Sequence, residues 1–140
     1  MGHQYGMSKA ATLIEAGEFE AAVQAASEEI TREGENSEHW WDRATAFASL
    51  EKYEEAVADY ERAKDVDLKT SVLDDDMLDD AYFSALLGAA RAMANIVAGC
   101  AKLERYAVLF PTGRHVQDAA DWQKRLRGEL KSHFVKERGE

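Results

Sequence analysis

The chain has 140 residues with a formal net charge of −10, and 46% of its residues are hydrophobic. This length suits a single domain, and the apolar content is too high for a disordered chain. No run approaches the roughly 20 apolar residues of a membrane span, and no basic segment precedes an apolar run at the start, so neither a span nor a signal peptide is expected. Cys100, the single cysteine, cannot form an internal disulfide, which favours a cytoplasmic location.

The charge is unevenly distributed along the chain. Residues 1–80 contain 21 acidic and 7 basic side chains (−14), whereas residues 81–140 contain 6 acidic and 10 basic ones (+4). Nucleic-acid binding requires a basic face, so the acidic body argues against that class of partner. The asymmetry is either a solvated acidic surface or a means of attracting a net-basic partner or of head-to-tail self-association.

Apolar residues recur at helical spacing along nearly the whole chain, and no alternating run indicates a strand. The helical pattern is interrupted at Gly17, at EGENS before Trp40 and at PTG (residues 111–113), where glycine, proline and polar residues end helices. Short turns between helices predict antiparallel pairs. The predicted helices are residues 5–16, 19–32, 37–50, 53–66, 79–94, 96–109 and 114–134.

The first two helix pairs repeat with a period of 34 residues. Shifting the segment Trp40–Ala63 back by this period superposes small residues on small ones and large apolar residues on large ones. Small residues allow two helices to cross closely, while large side chains such as Trp40 fill the volume beside the crossing. The superposed pairs are Ala10 and Ala44, Leu13 and Phe47, Phe19 and Tyr53, Glu20 and Glu54, Ala22 and Ala56, and Val23 and Val57.

A third, degenerate pair follows at a shift of 43 residues, which places Phe83 on Trp40 and Gly99 on Ala56. The nine extra residues form an acidic insertion at about residues 70–79, within KTSVLDDDMLDDA. Its aspartates are expected to solubilise a long loop and to favour the positive start of the following helix.

The last predicted helix carries a single apolar stripe surrounded by basic residues. Repeat arrays need a terminal element with a polar outer face, so this helix is expected to cap the array. A separate docking helix for a partner is the alternative. The stripe consists of Val116, Ala119, Trp122, Leu126, Leu130 and Phe134.

These repeats resemble the tetratricopeptide repeat (TPR) family, whose helix pairs follow the pattern W-x2-L-G-x2-Y, then A-x3-F, then P. In the second pair Trp40, Ala56 and Tyr60 match, whereas Arg43, Ala44, Phe47 and Leu68 stand where Leu, Gly, Tyr and Pro are usual. The resemblance covers about residues 3–113. It implies an all-α solenoid of three antiparallel helix pairs plus a C-terminal capping helix, in one domain over residues 1–140. The implied units are residues 3–36, 37–70 and 80–113, and the implied cap is residues 114–134.

In proteins of this family, the first helix of each pair lines a concave groove that receives a peptide or a partner helix. The resemblance therefore implies a non-catalytic protein–protein interaction module, an adaptor or scaffold. The alternative expectation is that the chain's own ends cover part of this groove. The implied partner-binding residues are Ile14, Trp41, Thr45, Ala48, Ser49, Ser84, Gly88 and Arg91, with Met7, Ala11, Glu15 and Ala92 beside them.

Trp40 and Trp41 are neighbours on one predicted helix, about 100° apart around its axis, so both cannot point to the same core. The repeat register assigns Trp40 to packing and leaves Trp41 facing the groove. An exposed tryptophan among small residues is typical of an interface hot spot. With the acidic balance of residues 1–80, this predicts an apolar, net-basic peptide or helix as the partner.

One subgroup of the family grips the C-terminal carboxylates of chaperones with Lys, Asn and Arg side chains. Carboxylate recognition needs such donors, and the matching positions here lack them, so that activity is not implied. Another possibility within the family is a cytoplasmic secretion chaperone that holds an export substrate. The positions that match the Lys, Asn and Arg donors of the carboxylate-binding subgroup are Met7, Ala11, Asp42, Ala81 and Ala85.

No motif predicts catalysis, a metal or a cofactor. The histidines (His3, His39, His115 and His133) form no HExxH or paired-cysteine pattern. The segment DDDMLDD lacks the glycine and glutamate that a calcium loop requires. The opposing hypothesis is an enzyme that uses Cys100 or the acidic segment, but a nucleophilic thiol would need an activating group nearby, and a buried inert thiol is expected.

Overall fold

The computed structural model describes residues 8–137, with side-chain environments as far as residue 128. It contains seven α-helices and no strand within those residues, so the predicted all-α fold is confirmed. Met7, His3, His133, Leu130 and Phe134, which were singled out above, lie outside the described side chains. The helices are α1 (Lys9–Glu15), α2 (Phe19–Arg32), α3 (Ser37–Ser49), α4 (Tyr53–Thr70), α5 (Asp75–Ala92), α6 (Ile96–Leu109) and α7 (Val116–Glu137).

Each helix packs against the next one in the chain, and α1 also contacts α3. This sequence of neighbours is that of a helical solenoid, in which each unit contacts mainly the units beside it. The main apolar core runs through α3 to α7, while α1 and α2 enclose a smaller cluster of Ala10, Ala25 and Ala26.

The 34-residue period is visible in the turns of the first two pairs. Gly17 between α1 and α2 and Glu51 between α3 and α4 both have positive φ, 79° and 59°. Equivalent hydrogen bonds close both turns: Glu18 N–H donates to the Leu13 carbonyl and Lys52 N–H to the Phe47 carbonyl, each over 2.9 Å. Gly17 adopts this conformation without strain, whereas Glu51 carries a Cβ there.

The predicted close crossings are confirmed at the small residues. Ala44 and Ala56 have no exposed surface. A Cβ on Gly99 would lie 2.8 Å from the Ala90 carbonyl oxygen, so α5 and α6 approach through this glycine. Tyr60 fills the space next to the crossing of α3 and α4 and is 3% exposed. Large and small side chains therefore interlock as the repeat pattern requires.

Arg43 stands where the family pattern has leucine, and it makes a partly buried ion pair instead. Its Nε and Nη2 donate to the two carboxylate oxygens of Asp59 on α4, over 2.7 and 3.0 Å. This bidentate geometry satisfies both charges at the contact of α3 with α4.

The acidic insertion is not the long loop expected from the sequence. Helix α4 continues to Thr70 and α5 begins at Asp75, which leaves four residues between them. Buried Asp67 accepts hydrogen bonds from Ser37 and from the amides of Val72 and Leu73. Burial alone would raise the pKa of Asp67, but these hydrogen bonds outweigh it and lower the pKa. At the other end of the turn, Asp74 caps α5 by accepting from the Met77 amide.

Asp79 attaches the final turn to α5. It is buried and accepts hydrogen bonds from the Tyr106 hydroxyl and the Arg114 amide. The same hydroxyl accepts from the His115 amide. A side chain on Gly113 would overlap this hydroxyl, so glycine is required where the chain turns into α7. This aspartate is therefore part of the connection to the cap.

The His115 ring fixes the start of α7 against α5. It stacks on Phe83 with ring centroids 4.5 Å apart, and its nitrogens contact Asp80 at 2.7 Å and Asp118 at 2.8 Å. Burial would lower the pKa of His115, but the hydrogen bonds to Asp80 and Asp118 and the charge of Asp79 outweigh it and raise the pKa.

His115 makes the stability of the fold depend on pH. Because its folded pKa is raised, its contribution is complete below the unfolded value of about 6.5 and is lost as pH rises through the folded pKa. Urea unfolding between about pH 5.5 and pH 8.5 should show His115→Gln losing most stability at the acidic end. A difference from wild type that is constant with pH would contradict this contribution.

Ala56→Leu should destabilise the fold by about 1–3 kcal/mol, because the crossing of α3 and α4 leaves no space for a larger side chain. The matched control is Ala58→Leu on the exposed face of the same helix, which should leave stability within about 0.5 kcal/mol. Equal midpoints for both variants in chemical denaturation would show that the helix register is wrong.

Candidate partner-binding pocket

A pocket of about 330 Å³ opens where α1, α3 and α5 begin. These are the first helices of the three predicted pairs, and each starts with a side-chain cap, from Ser8, Asn36 and Asp74. The pocket combines apolar side chains with three carboxylates. Its lining residues are Ser8 and Ala11 from α1, Glu38, His39, Trp41 and Asp42 from α3, and Val72, Leu73, Asp74 and Met77 from the α4–α5 turn and α5.

Trp41 lines the pocket and also borders the main core. It is half-buried, and its ring centroid lies 5.3 Å from that of Tyr60. Its ring therefore packs against the core and also forms part of the pocket wall.

Trp40 does not fill the core as the repeat register predicted. It belongs to neither apolar cluster of the described residues. Its indole N–H donates to the Gly34 carbonyl over 2.8 Å, and the guanidinium groups of Arg43 and Arg62 lie 5.2 and 5.5 Å from its ring centroid. These cation–π contacts hold the ring at the surface of the α3–α4 contact.

Apart from Ala11, which lines the pocket, the other predicted groove residues of α1 and α3 that the structure describes lie outside it. Thr45 is half-buried, donates to the Trp41 carbonyl and lies 3.1 Å from the Tyr60 hydroxyl. Ala48 packs against the main core, and Ser49 is exposed. Ile14 is half-buried on α1.

The predicted groove residues of α5 are also outside the pocket. Ser84 is exposed. A Cβ on Gly88 would lie 2.8 Å from the Tyr53 ring, so the chain's own tyrosine covers this glycine. The Arg91 guanidinium lies 4.9 Å from the Trp122 ring centroid, which engages it with the capping helix. Of the predicted groove residues, Trp41 and its small neighbour Ala11 thus line the pocket.

Asp42 is the buried carboxylate of the pocket. Its Oδ2 accepts from the Ser8 hydroxyl over 2.7 Å, and that hydroxyl in turn caps α1 by accepting from the Ala11 amide. Burial, together with the charges of Glu38 and Glu29, outweighs this hydrogen bond and raises the pKa of Asp42. The carboxylate is therefore short of compensating positive charge.

His39 lies beside Asp42 and is 7% exposed. Its Nε2 lies 3.0 Å from the Glu33 carboxylate, a contact that lowers the pKa of Glu33. Its Nδ1 is buried without a hydrogen-bond partner among the described residues. Buried polar atoms are nearly always paired, so this nitrogen is an exception that calls for a cause.

The lining residues other than Trp41, Ala11 and Asp42 are not indicated by the sequence. The family pattern draws attention to Asp42 only as a position where the carboxylate-binding subgroup has a donor. One signal was present, because Ser8 and Asp42 are 34 positions apart, one repeat period. Val72, Leu73 and Met77 belong to the segment that the sequence predicts to be a loop, so the sequence does not place them at the pocket.

The Cys100 thiol is buried, as expected. Its Sγ lies 3.7 Å from the Gln123 carbonyl of α7. In the part of the chain that the structure describes, no cluster of His, Cys, Asp or Glu has the arrangement of a metal site. No described helix combines the length and apolarity needed to cross a bilayer.

The fold is that of a TPR domain, and the predicted repeat architecture is confirmed by comparison with solved structures. The second TPR domain of human RPAP3, determined by NMR in complex with the HSP70 peptide SGPTIEEVD, superposes with a TM-score of 0.55 and 18% sequence identity. The match covers 85% of this chain and 89% of that domain. No protein-family model and no curated protein matches the sequence.

Trp41→Ala should destabilise the fold by about 2–3 kcal/mol, because it removes a half-buried ring from the edge of the core. Trp40→Ala should cost less, about 1–2 kcal/mol, since it removes one hydrogen bond and two surface cation–π contacts. Urea denaturation of both variants tests this order. A larger loss for Trp40→Ala would restore the assignment made from the repeat register.

Proposed function

We propose that this protein is a non-catalytic interaction module that binds an extended peptide or a helix of a partner protein. The binding surface is the face of α1, α3 and α5, with the pocket at their N-terminal ends as its anchor. The observation that carries the proposal is Trp41, which is supported by the core from one side and faces the pocket from the other.

Exposed apolar groups support the same surface. Met77 and Val72 at the pocket are 59% and 57% exposed, although large apolar side chains are usually buried. Together with Trp41 they provide apolar contact area around a concavity, which is the usual arrangement of a binding site.

The partner is apolar and net basic, and binding takes place in the cytoplasm. The TPR domain of RPAP3 is bound to a peptide that ends in EEVD. In this chain the carboxylates of Glu38, Asp42 and Asp74 line the pocket. Like charges across an interface are unfavourable, so these carboxylates disfavour an acidic peptide of that kind and attract a basic one. A reducing cytoplasm suits the single buried thiol.

Panning a library of random 12-residue peptides against the 140-residue chain tests the proposal. Enriched peptides, synthesised with a fluorophore, should bind the wild type in anisotropy titrations. Met77→Arg should weaken binding at least about tenfold, because it fills the apolar edge of the pocket with a charged side chain.

Val97→Arg is the matched control. Val97 is also exposed, at 77%, and also lies in the first turn of a helix, α6, away from the pocket. This variant should bind within about twofold of wild type. Failure to enrich any peptide, or equal effects of the two variants, would overturn the proposed function.

A further inference from the structure

The residues that line the pocket indicate a more specific ligand than the net acidity of the surface does. Three carboxylates, those of Glu38, Asp42 and Asp74, share it with Trp41 and Met77. Carboxylates beside an aromatic ring and an aliphatic side chain match the two parts of a long basic side chain, whose stem is apolar and whose end is charged.

Helix capping accounts for some of these acids but not for all of them. Glu38 lies in the first turn of α3 and Asp74 is the N-cap of α5, so both also compensate the positive ends of their helices. Asp42 lies beyond the first turn of α3 and is 8% exposed. It has no cation within ion-pair distance among the described residues, unlike buried Asp59, which pairs with Arg43.

His39 gives an independent indication of a missing donor. The Glu33 carboxylate can only accept a hydrogen bond, so Nε2 of His39 carries the proton between them. In the neutral ring Nδ1 is then an acceptor, and it is the buried atom that lacks a partner. His39 lines the pocket next to Asp42. Neither polar group is therefore fully compensated by the described residues, because Nδ1 of His39 has no partner and Asp42 has a hydrogen bond from Ser8 but no cation.

Resting on the proposed function, we infer that the pocket binds one lysine or arginine side chain of the partner. The cationic end lies among Asp42, Glu38 and Asp74, and the aliphatic stem lies on Trp41. Apolar partner residues on either side of this side chain contact Met77 and Val72. The pocket thus selects a basic residue flanked by apolar ones.

The test compares two triple variants of equal net charge in the full chain. The pocket variant is Glu38→Gln, Asp42→Asn and Asp74→Asn. Asparagine still accepts from Ser8 at position 42 and still caps α5 at position 74, so the fold should be retained, which circular dichroism and thermal melting will verify. The control variant is Glu20→Gln, Glu28→Gln and Glu104→Gln, at exposed positions outside the pocket.

Peptides enriched on the wild type should share a lysine or arginine between apolar residues. Replacing that residue by methionine should weaken binding to the wild type and to the control variant at least about tenfold. The same replacement should have little effect on binding to the pocket variant, because the carboxylates that recognise the charge are gone. The peptide SGPTIEEVD should not bind the wild type.

The outcomes separate the two hypotheses. The proposed function requires peptides that bind the wild type and lose affinity for the Met77→Arg variant. If those peptides lack a basic residue, or if replacing it weakens binding equally to both triple variants, the cation pocket is overturned and the proposed function stands. Binding of SGPTIEEVD would also overturn the cation pocket. If no peptide is enriched at all, the proposed function fails and the inference fails with it.

Discussion

The close approach of successive helices through alanine and glycine is the contact on which the rest of the structure depends. Gly99 lets the backbone of α6 lie against the Ala90 carbonyl of α5, and Ala56 lets α4 lie against α3. Larger residues at these crossings would separate the helices and open voids beside side chains such as Tyr60, which the close packing of protein interiors does not tolerate. Because each pair is held this tightly to the next, α1, α3 and α5 begin at the same end of the molecule, and a pocket forms between their first turns.

The fold could be predicted because the residues that set it recur at a fixed interval. Ala22 and Ala56 occupy equivalent crossings, and Gly17 and Glu51 occupy equivalent turns. The ends of α4 and α5 could not be predicted in the same way. A run of aspartates normally indicates solvated loop, but here Asp67 and Asp74 accept hydrogen bonds from backbone amides around the turn, so both helices extend into it. That role depends on tertiary position and leaves no periodic signal.

The candidate site was predictable only where helix geometry alone decides. The angle between consecutive residues on α3 separates Trp41 from Trp40, although the repeat register that gave Trp40 to the core did not place that residue correctly. The family register places Gly88 in the groove. It cannot show that the Tyr53 ring of the preceding helix covers this glycine. Likewise, Val72 and Leu73 reach the pocket only because the α4–α5 turn folds back to the start of α3. The carboxylates have equally distinct roles, since Asp59 is paired, Asp79 anchors the final turn, and Asp42 is left to face the pocket.

The position of Cys100 beneath α7 makes the capping helix observable in the unmodified protein. The thiol is the chain's single cysteine and is covered where it meets the Gln123 carbonyl, while Gln123 in turn donates to the Cys100 carbonyl. The sulfur becomes fully accessible to a small alkylating reagent when α7 separates from α6. The alkylation rate therefore reports how often the last helix detaches, and its change on adding a ligand would reveal whether events at the start of α1, α3 and α5 are transmitted to the far end of the solenoid.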